Sequence, residues 1–180
     1  ERELAKIDGV NHYEERMLVN LMLLRQPRTR LIYVTSQAID PAVVDYYLSL
    51  LPGIPNGHAR ARLAMLHCGD SSARPLSQKI LDRPRLIKRI RQRIRTPDRA
   101  HLVCFNSTHL ERTLAVRLGL PLHAVDPRLN DLGTKSGCRE IFREAGVDLP
   151  YGHERLREAR EIAWALADIK KHDPDAAKAA

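Results

Sequence analysis

Residues 132–137 read LGTKSG, and within them Lys135 and Ser136 form the Lys-Ser pair that closes a phosphate-binding loop. Such a loop cradles phosphates with backbone N–H groups, and it needs glycine at two fixed positions before the lysine. In this chain those positions hold Leu129 and Thr134, so the loop reading fails at both. What remains is a helix start over about 135–145. Thr134 or Ser136 can cap it, Cys138, Ile141, Phe142 and Ala145 fall at i, i+3, i+4 and i+7, Gly146 supplies a stop, and Pro150 blocks resumption. Lys135 then sits in a first turn where the helix dipole disfavours a cation by roughly 0.3–1 kcal/mol. An anion bound there would reverse the sign, because free N–H groups and the ammonium would converge on it. Two readings stay open on the residues alone, a phosphate contact or an exposed lysine on an ordinary helix.

The other candidates are small polar groups after apolar runs. Thr35 and Ser36 follow RLIYV, the GDSS stretch at 69–72 follows RLAMLHC, Asn106 and Ser107 follow AHLVCF, and Asp126 follows LPLHAV. If these runs are parallel strands, their carboxyl ends are where a ligand would gather, and Thr35, Ser36 and Asn106 become candidate substrate contacts. The same residue types are also ordinary turn formers and caps. No G-x-G-x-x-G follows the first run, and no G-x-S-x-G elbow occurs, so neither a dinucleotide fingerprint nor a serine hydrolase is supported. Cys68, Cys104 and Cys138 are widely spaced with no C-x-x-C, and His67 is merely adjacent to Cys68, so neither a disulfide framework nor a metal site is expected.

The elements that would position these groups alternate. A leading helix is expected over residues 1–29, with Asn11 as cap, Glu14 as its capping-box partner, and Tyr13, Met17, Leu21 and Leu24 on one face. Strands are expected at 30–36, 62–68, 100–106 and 120–125. Helices lie between them, one begun by Asp40-Pro41 and stopped before Pro52-Gly53, one over SQKILDRPRLIKRIRQRI, and one closed by Gly119. Alternation of this kind implies crossovers and a parallel sheet of about four strands with flanking helices. Beyond Pro127 the pattern changes to two helical segments, about 135–145 and 153–171, the second with Leu156, Ile162, Ala163, Leu166 and Ile169 in a stripe and Trp164 beside it. Domains are accordingly expected at 30–127 and 128–180.

The chain has 180 residues, 43% of them apolar, and a net charge of +8. It is long enough for a core, and its longest apolar-leaning run, MLVNLMLL, is too short to span a bilayer. A cytoplasmic location is expected. The positive charge favours an anionic partner. Its densest part, RPRLIKRIRQRIR at 83–95, carries seven basic residues and no acidic one, but no aromatic side chains that would stack bases, and Leu86, Ile87, Ile90 and Ile94 form an apolar stripe opposite the arginines. A solvated basic face fits this better than a nucleic-acid surface.

Three stretches together resemble a known family: VTSQAIDPAVVDYYLSLLPG, RPLSQKILDRPRLIKRIR and LGTKSGCREIFREAGV. They resemble the Rossmann-like pre-ATP-grasp domain, and the entry into the ATP-grasp domain, of carboxylate–amine ligases of the pheganomycin peptide-ligase type, over most of residues 14–152. The resemblance implies an enzyme that activates a carboxylate with ATP as an acylphosphate and lets an amine attack it, with Mg²⁺ assistance. It also implies that Lys135 approaches the ATP phosphates and neutralises charge during phosphoryl transfer. Cys138 stands where the family more often has Ser. A second ATP lysine, a glycine-rich flap, the adenine hinge and the Mg²⁺ ligands would follow beyond residue 180. The chain by itself is therefore expected to be an inactive leading portion of such a ligase, with no catalytic residue and no metal ligand of its own. The alternative is a non-enzymatic α/β module that binds an anionic ligand or nucleic acid through helix 83–95.

Overall fold

The computed structural model describes residues 10–173 and divides into two compact units, Glu1–Ala124 and Val125–Ala180. In the first unit, β1 (Leu31–Thr35) and β2 (Leu63–His67) pair in parallel, with Leu31 opposite Leu63 and Thr35 opposite His67. A second parallel pair joins β3 (Leu102–Val103) to β4 (Leu122–His123). The architecture is α/β with parallel strands, but among the described residues four strands form two sheets of two rather than the expected sheet of about four. The last two strands are each only two residues long, and Pro121, which has no N–H to donate, stands directly before β4. Their ladder is held by Leu102 N–H donating to the Pro121 carbonyl at 2.8 Å.

Side-chain alternation along β1 explains the layering. Leu31 and Tyr33 join a core made by the leading helix, α1 (Pro41–Ser49) and α2 (Asn56–Arg60), with Leu18, Leu21, Leu24, Val44, Leu48, Leu51 and Ala59 at its centre. Ile32 and Val34 point to the other face, where they pack on a core of Leu66, Ile80, Leu86, Ile87, Ile90, Leu114 and Leu118. These come mainly from α3 (Leu76–Leu81), α4 (Pro84–Arg93) and α5 (His109–Leu118). A parallel sheet covered on both faces needs this kind of apolar strand.

The leading helix, Val10–Arg25, is wound with three residues per turn. Such winding is normally brief, and here it matches a period-three row of leucines. Leu18, Leu21 and Leu24 are fully buried, while Met17 and Tyr13, expected on the buried face, are only half-buried. The capping role expected of Asn11 falls on a side chain outside the described residues, and Glu14 reaches across to β1 instead of back to a cap. Arg62 closes the helix's far end, donating to the carbonyls of Leu24 and Gln26 at 2.7 Å and of Thr29 at 3.0 Å. Carbonyls at a helix end have no intrahelical donor, so the guanidinium supplies one from a distant loop.

Local chemistry sets the remaining boundaries. Asp40 caps α1 by accepting from Ala42 N at 2.8 Å, and Gly119 ends α5 at φ 71°. The stretch expected as one helix over 77–94 breaks before Pro84 into α3 and α4, since a residue preceding proline is driven out of the helical region. The stripe of Leu86, Ile87 and Ile90 on α4 is buried as expected.

The second unit holds α6 (Lys135–Glu144) and α7 (Ala159–His172). Thr134 caps α6, accepting from Gly137 N at 3.0 Å, and Gly146 ends it at φ 66°, with Val147 N–H donating to the Phe142 carbonyl at 2.9 Å. Helix α7 begins six residues later than the expected 153: Arg155 at φ 57° lies outside a right-handed turn, and Glu158 caps the helix with Glu161 as its capping-box partner. The apolar stripes expected on these helices are largely open: Phe142, Ile162, Trp164 and Leu166 are all exposed, and Ala165 is the buried residue of α7. Among the described residues no helix is long and apolar enough to cross a membrane.

The leading helix generates a prediction. Leu21→Ala should lower the unfolding free energy by about 2–5 kcal/mol, whereas Leu23→Ala on the open face should cost under about 1 kcal/mol. Urea denaturation measures both. Equal losses would show that the three-residue winding does not set the buried face.

Candidate functional site

The carboxyl ends of β1 and β2 are brought together by the parallel register. Cys68 N–H donates to the Thr35 carbonyl at 2.9 Å and Asp70 N–H to the Ser36 carbonyl at 3.0 Å, which carries the ladder past both strands. The Gln37 amide oxygen, in the orientation that satisfies the amide, also accepts from Ser71 N at 2.7 Å. Against these ends lies a cleft of about 330 Å³, lined by His12, Glu14, Glu15, Thr35, Gln37, Ala38, Ile39 and Ser71. This is the usual ligand position of an open parallel sheet.

Behind the cleft wall is a buried polar network. Lys79, on α3, is 2% exposed, and its ammonium donates to Ser36 Oγ at 2.8 Å, the Asp70 carbonyl at 3.0 Å and the Ser72 carbonyl at 2.6 Å. Each of its three protons thus has an acceptor, the condition for burying an ammonium. Ser36 passes the interaction on: its hydroxyl donates to Glu14 Oε1 at 2.6 Å and its N–H to Glu14 Oε2 at 2.5 Å. Arg83 donates to Asp70 Oδ2 at 2.8 Å and to the Lys79 carbonyl at 2.9 Å. On the same helix, Ser77 donates to Glu111 Oε1 at 2.5 Å, while Thr108 N–H donates to Glu111 Oε2 at 2.9 Å. Burial raises the Tyr33 phenol well above its ordinary value, aided by Glu14, whose backbone carbonyl accepts its proton. Burial likewise raises the thiols of Cys68 and Cys104.

The candidate residues meet different fates. Thr35 is buried in the cleft wall, its hydroxyl donating to the Gln37 carbonyl at 2.5 Å. Ser36 is buried between Lys79 and Glu14, so it orients a carboxylate of the cleft and is not itself among the lining groups. Asn106 is exposed after β3, on the other sheet, and takes no part in the cleft. Lys135 belongs to the second unit and is exposed at the first position of α6. The sequence reads Glu14 as a capping partner and Asp70 only as part of the GDSS stretch, and it does not single out Lys79 or Arg83. Of the last two, Lys79 carries a signal: it falls on the same helical stripe as Leu76 and Ile80, where a charge is out of place.

The start of α6 is tightly built. Side-chain room at Gly137 is absent: a methyl group there would overlap the Asp131 carbonyl oxygen and lie 2.8 Å from Leu132 Cα. Ser136 Oγ accepts from Arg155 N at 3.0 Å, so Thr134 is the cap and Ser136 a tether. Among the described residues no group of three or more His, Cys, Asp or Glu side chains is arranged to hold a metal. On α4 the arginines and lysine lie opposite the buried stripe and are exposed.

No protein-family model matches the chain, and no solved structure matches it. One relative among characterised proteins is L-propargylglycine--L-glutamate ligase of Streptantibioticus cattleyicolor, 32% identical over 173 residues, which cover 92% of this chain and 36% of that protein. A second relative, IQ motif-containing protein H of Danio rerio, is 28% identical over 177 residues, covering 89% of this chain and 17% of that protein. The chain therefore spans little more than a third of the ligase and a smaller share of the second relative.

The charge network at the strand ends makes stability depend on acid. Hydrogen bonds from Ser72 and then the Arg83 guanidinium hold the Asp70 carboxyl well below the usual carboxylate range. Its unfolded value is about 3.9, so Asp70 contributes stability that is present above about pH 4 and is lost as the pH falls further toward the folded value. Denaturation midpoints followed from pH 6 to 2 should fall more steeply below pH 4 in the wild type than in Asp70→Asn. Parallel curves would mean that Asp70 contributes nothing through ionisation.

Proposed function

We propose that the chain is the region that precedes and opens the ATP-grasp domain of an ATP-dependent carboxylate–amine ligase of the pheganomycin peptide-ligase type. The observation that carries this reading is the 32% identity to a ligase across 92% of the chain. The name of that relative pairs two amino acids. A parallel α/β unit followed by a helix that starts with a lysine, as the family resemblance requires, supports the same reading. In such a ligase a substrate carboxylate oxygen takes the γ-phosphoryl group of ATP, releasing ADP, and the amine then displaces phosphate from the acylphosphate to form the amide.

Within this reading Lys135 contacts the ATP phosphates. Lys135 is the first residue of α6, at a helix end whose dipole favours an anion. The chemistry supplied is charge neutralisation as negative charge moves from the γ-phosphoryl group toward ADP. The residues of this chain are not assigned to Mg²⁺. The cleft at the ends of β1 and β2 takes the small-molecule substrate, with Thr35 in its wall and Ser36 holding Glu14 in place. The domains are placed at 30–127 and 128–180, and the enzyme in the cytoplasm.

Isothermal titration of ATP into the full-length protein tests the assignment of Lys135. Losing a charge-assisted contact should weaken binding in Lys135→Ala roughly 10- to 100-fold. Unchanged affinity would remove Lys135 from the phosphate site. Trapping with hydroxylamine during turnover would report the acylphosphate as a hydroxamate.

A further inference from the structure

We propose that Arg155 is a positioning residue for Lys135, fixing the first turn of α6 through a strained backbone and a three-point clamp. The inference rests on the reading of Lys135 as a phosphate contact. Arg155 is the one non-glycine residue with positive φ among the described residues, at 57°. Arginine has no short polar side chain to compensate this conformation locally, so surrounding structure must impose it, and such residues gather where geometry matters to function.

The strain is concentrated on one target. Arg155 N–H donates to Ser136 Oγ at 3.0 Å, next to Lys135 in the chain. Its guanidinium donates to Glu140 Oε1 at 2.6 Å and Oε2 at 2.9 Å, one turn further along α6, and to Asp131 Oδ2 at 3.3 Å, in the loop before the helix. One residue thus holds the chain before, beside and after Lys135. Anchoring the helix as a whole needs no such strain. Glu154 already accepts from Arg139 at 2.8 Å and Arg143 at 2.5 Å, and Arg139 donates to the Pro150 carbonyl at 2.8 Å. The clamp adds restraint where Gly137 packs too closely against residues 131–132 for any side chain. Arg155 spends its donors on carboxylates and a hydroxyl, so its effect on a phosphate would run through the placement of the Lys135 backbone.

A double-mutant cycle in the full-length protein tests this, with ATP affinity read by isothermal titration and folding by thermal denaturation. Arg155→Ala and Arg155→Gly should each weaken ATP binding roughly five- to tenfold. The glycine variant relieves the backbone strain and so keeps the fold. In a Lys135→Ala background the same changes should alter affinity less than twofold. Multiplicative losses would overturn the inference, since Arg155 would then act independently of Lys135. So would a lowered melting temperature with ATP affinity intact in Arg155→Gly, the signature of a purely structural clamp. If Lys135→Ala alone leaves affinity unchanged, the phosphate reading falls first and this inference falls with it.

Discussion

An ammonium group removed from water must find an acceptor for each of its protons, and Lys79 imposes that condition on the whole of the first unit. Its three acceptors come from two places, the end of β1 and the loop after β2, while the lysine itself arrives on α3. Ser36 can serve Lys79 only because its own proton goes to Glu14, on the leading helix. Asp70 offers its carbonyl to Lys79 and its carboxylate to Arg83, one turn along the same segment. Four stretches of chain are therefore fixed by one buried charge. A half-satisfied network of this kind would cost more than an apolar core, so its members hold or fail together.

That constraint decides what the cleft presents. Tying Ser36 behind the wall fixes both oxygens of Glu14 beside the opening. Thr35 keeps its place in the wall by bonding forward to Gln37, whose amide in turn grips the loop after β2. Thr35, Ser36 and Gln37 are thus each held by hydrogen bonds beside the cleft. Ala38 and Ile39 add the apolar part of the lining.

How far the sequence discloses this arrangement depends on the range of each interaction. Local chemistry is legible: Asp40 before Pro41, Gly119 after α5, Gly146 after α6, and the apolar stripe of α4 all act within one or two turns. Tertiary chemistry is not. Glu14 reads as a capping partner because Asn11 is three residues away, yet its partner Ser36 lies 22 residues on. A turn that rises three residues at a time has the same composition as one that rises 3.6, so the row Leu18, Leu21 and Leu24 cannot be told in advance from a row through Met17. The positive φ of Arg155 has no sequence signature at all, since nothing in its side chain favours that region. Sheet size is also a long-range property: short strands at 102–103 and 122–123 pair with each other and leave β1 and β2 to theirs.

The distribution of charge finally separates two ways of recognising an anion. A net charge of +8 suggests attraction by the field of the whole molecule. The placement of the charges argues against relying on it. Residues lining the cleft include two glutamates and neither lysine nor arginine. In the second unit Arg139, Arg143 and Arg155 are each engaged by carboxylates, while the cations of α4 lie exposed in solvent, where salt screens them over about 8–10 Å. Under the proposed function, recognition of a phosphate rests on the placement of Lys135 more than on summed potential. A lone cation acts through geometry, because its contribution falls off with distance and is strongest when its backbone is held. That is why the clamp on α6 matters to the proposed chemistry as much as the lysine it surrounds.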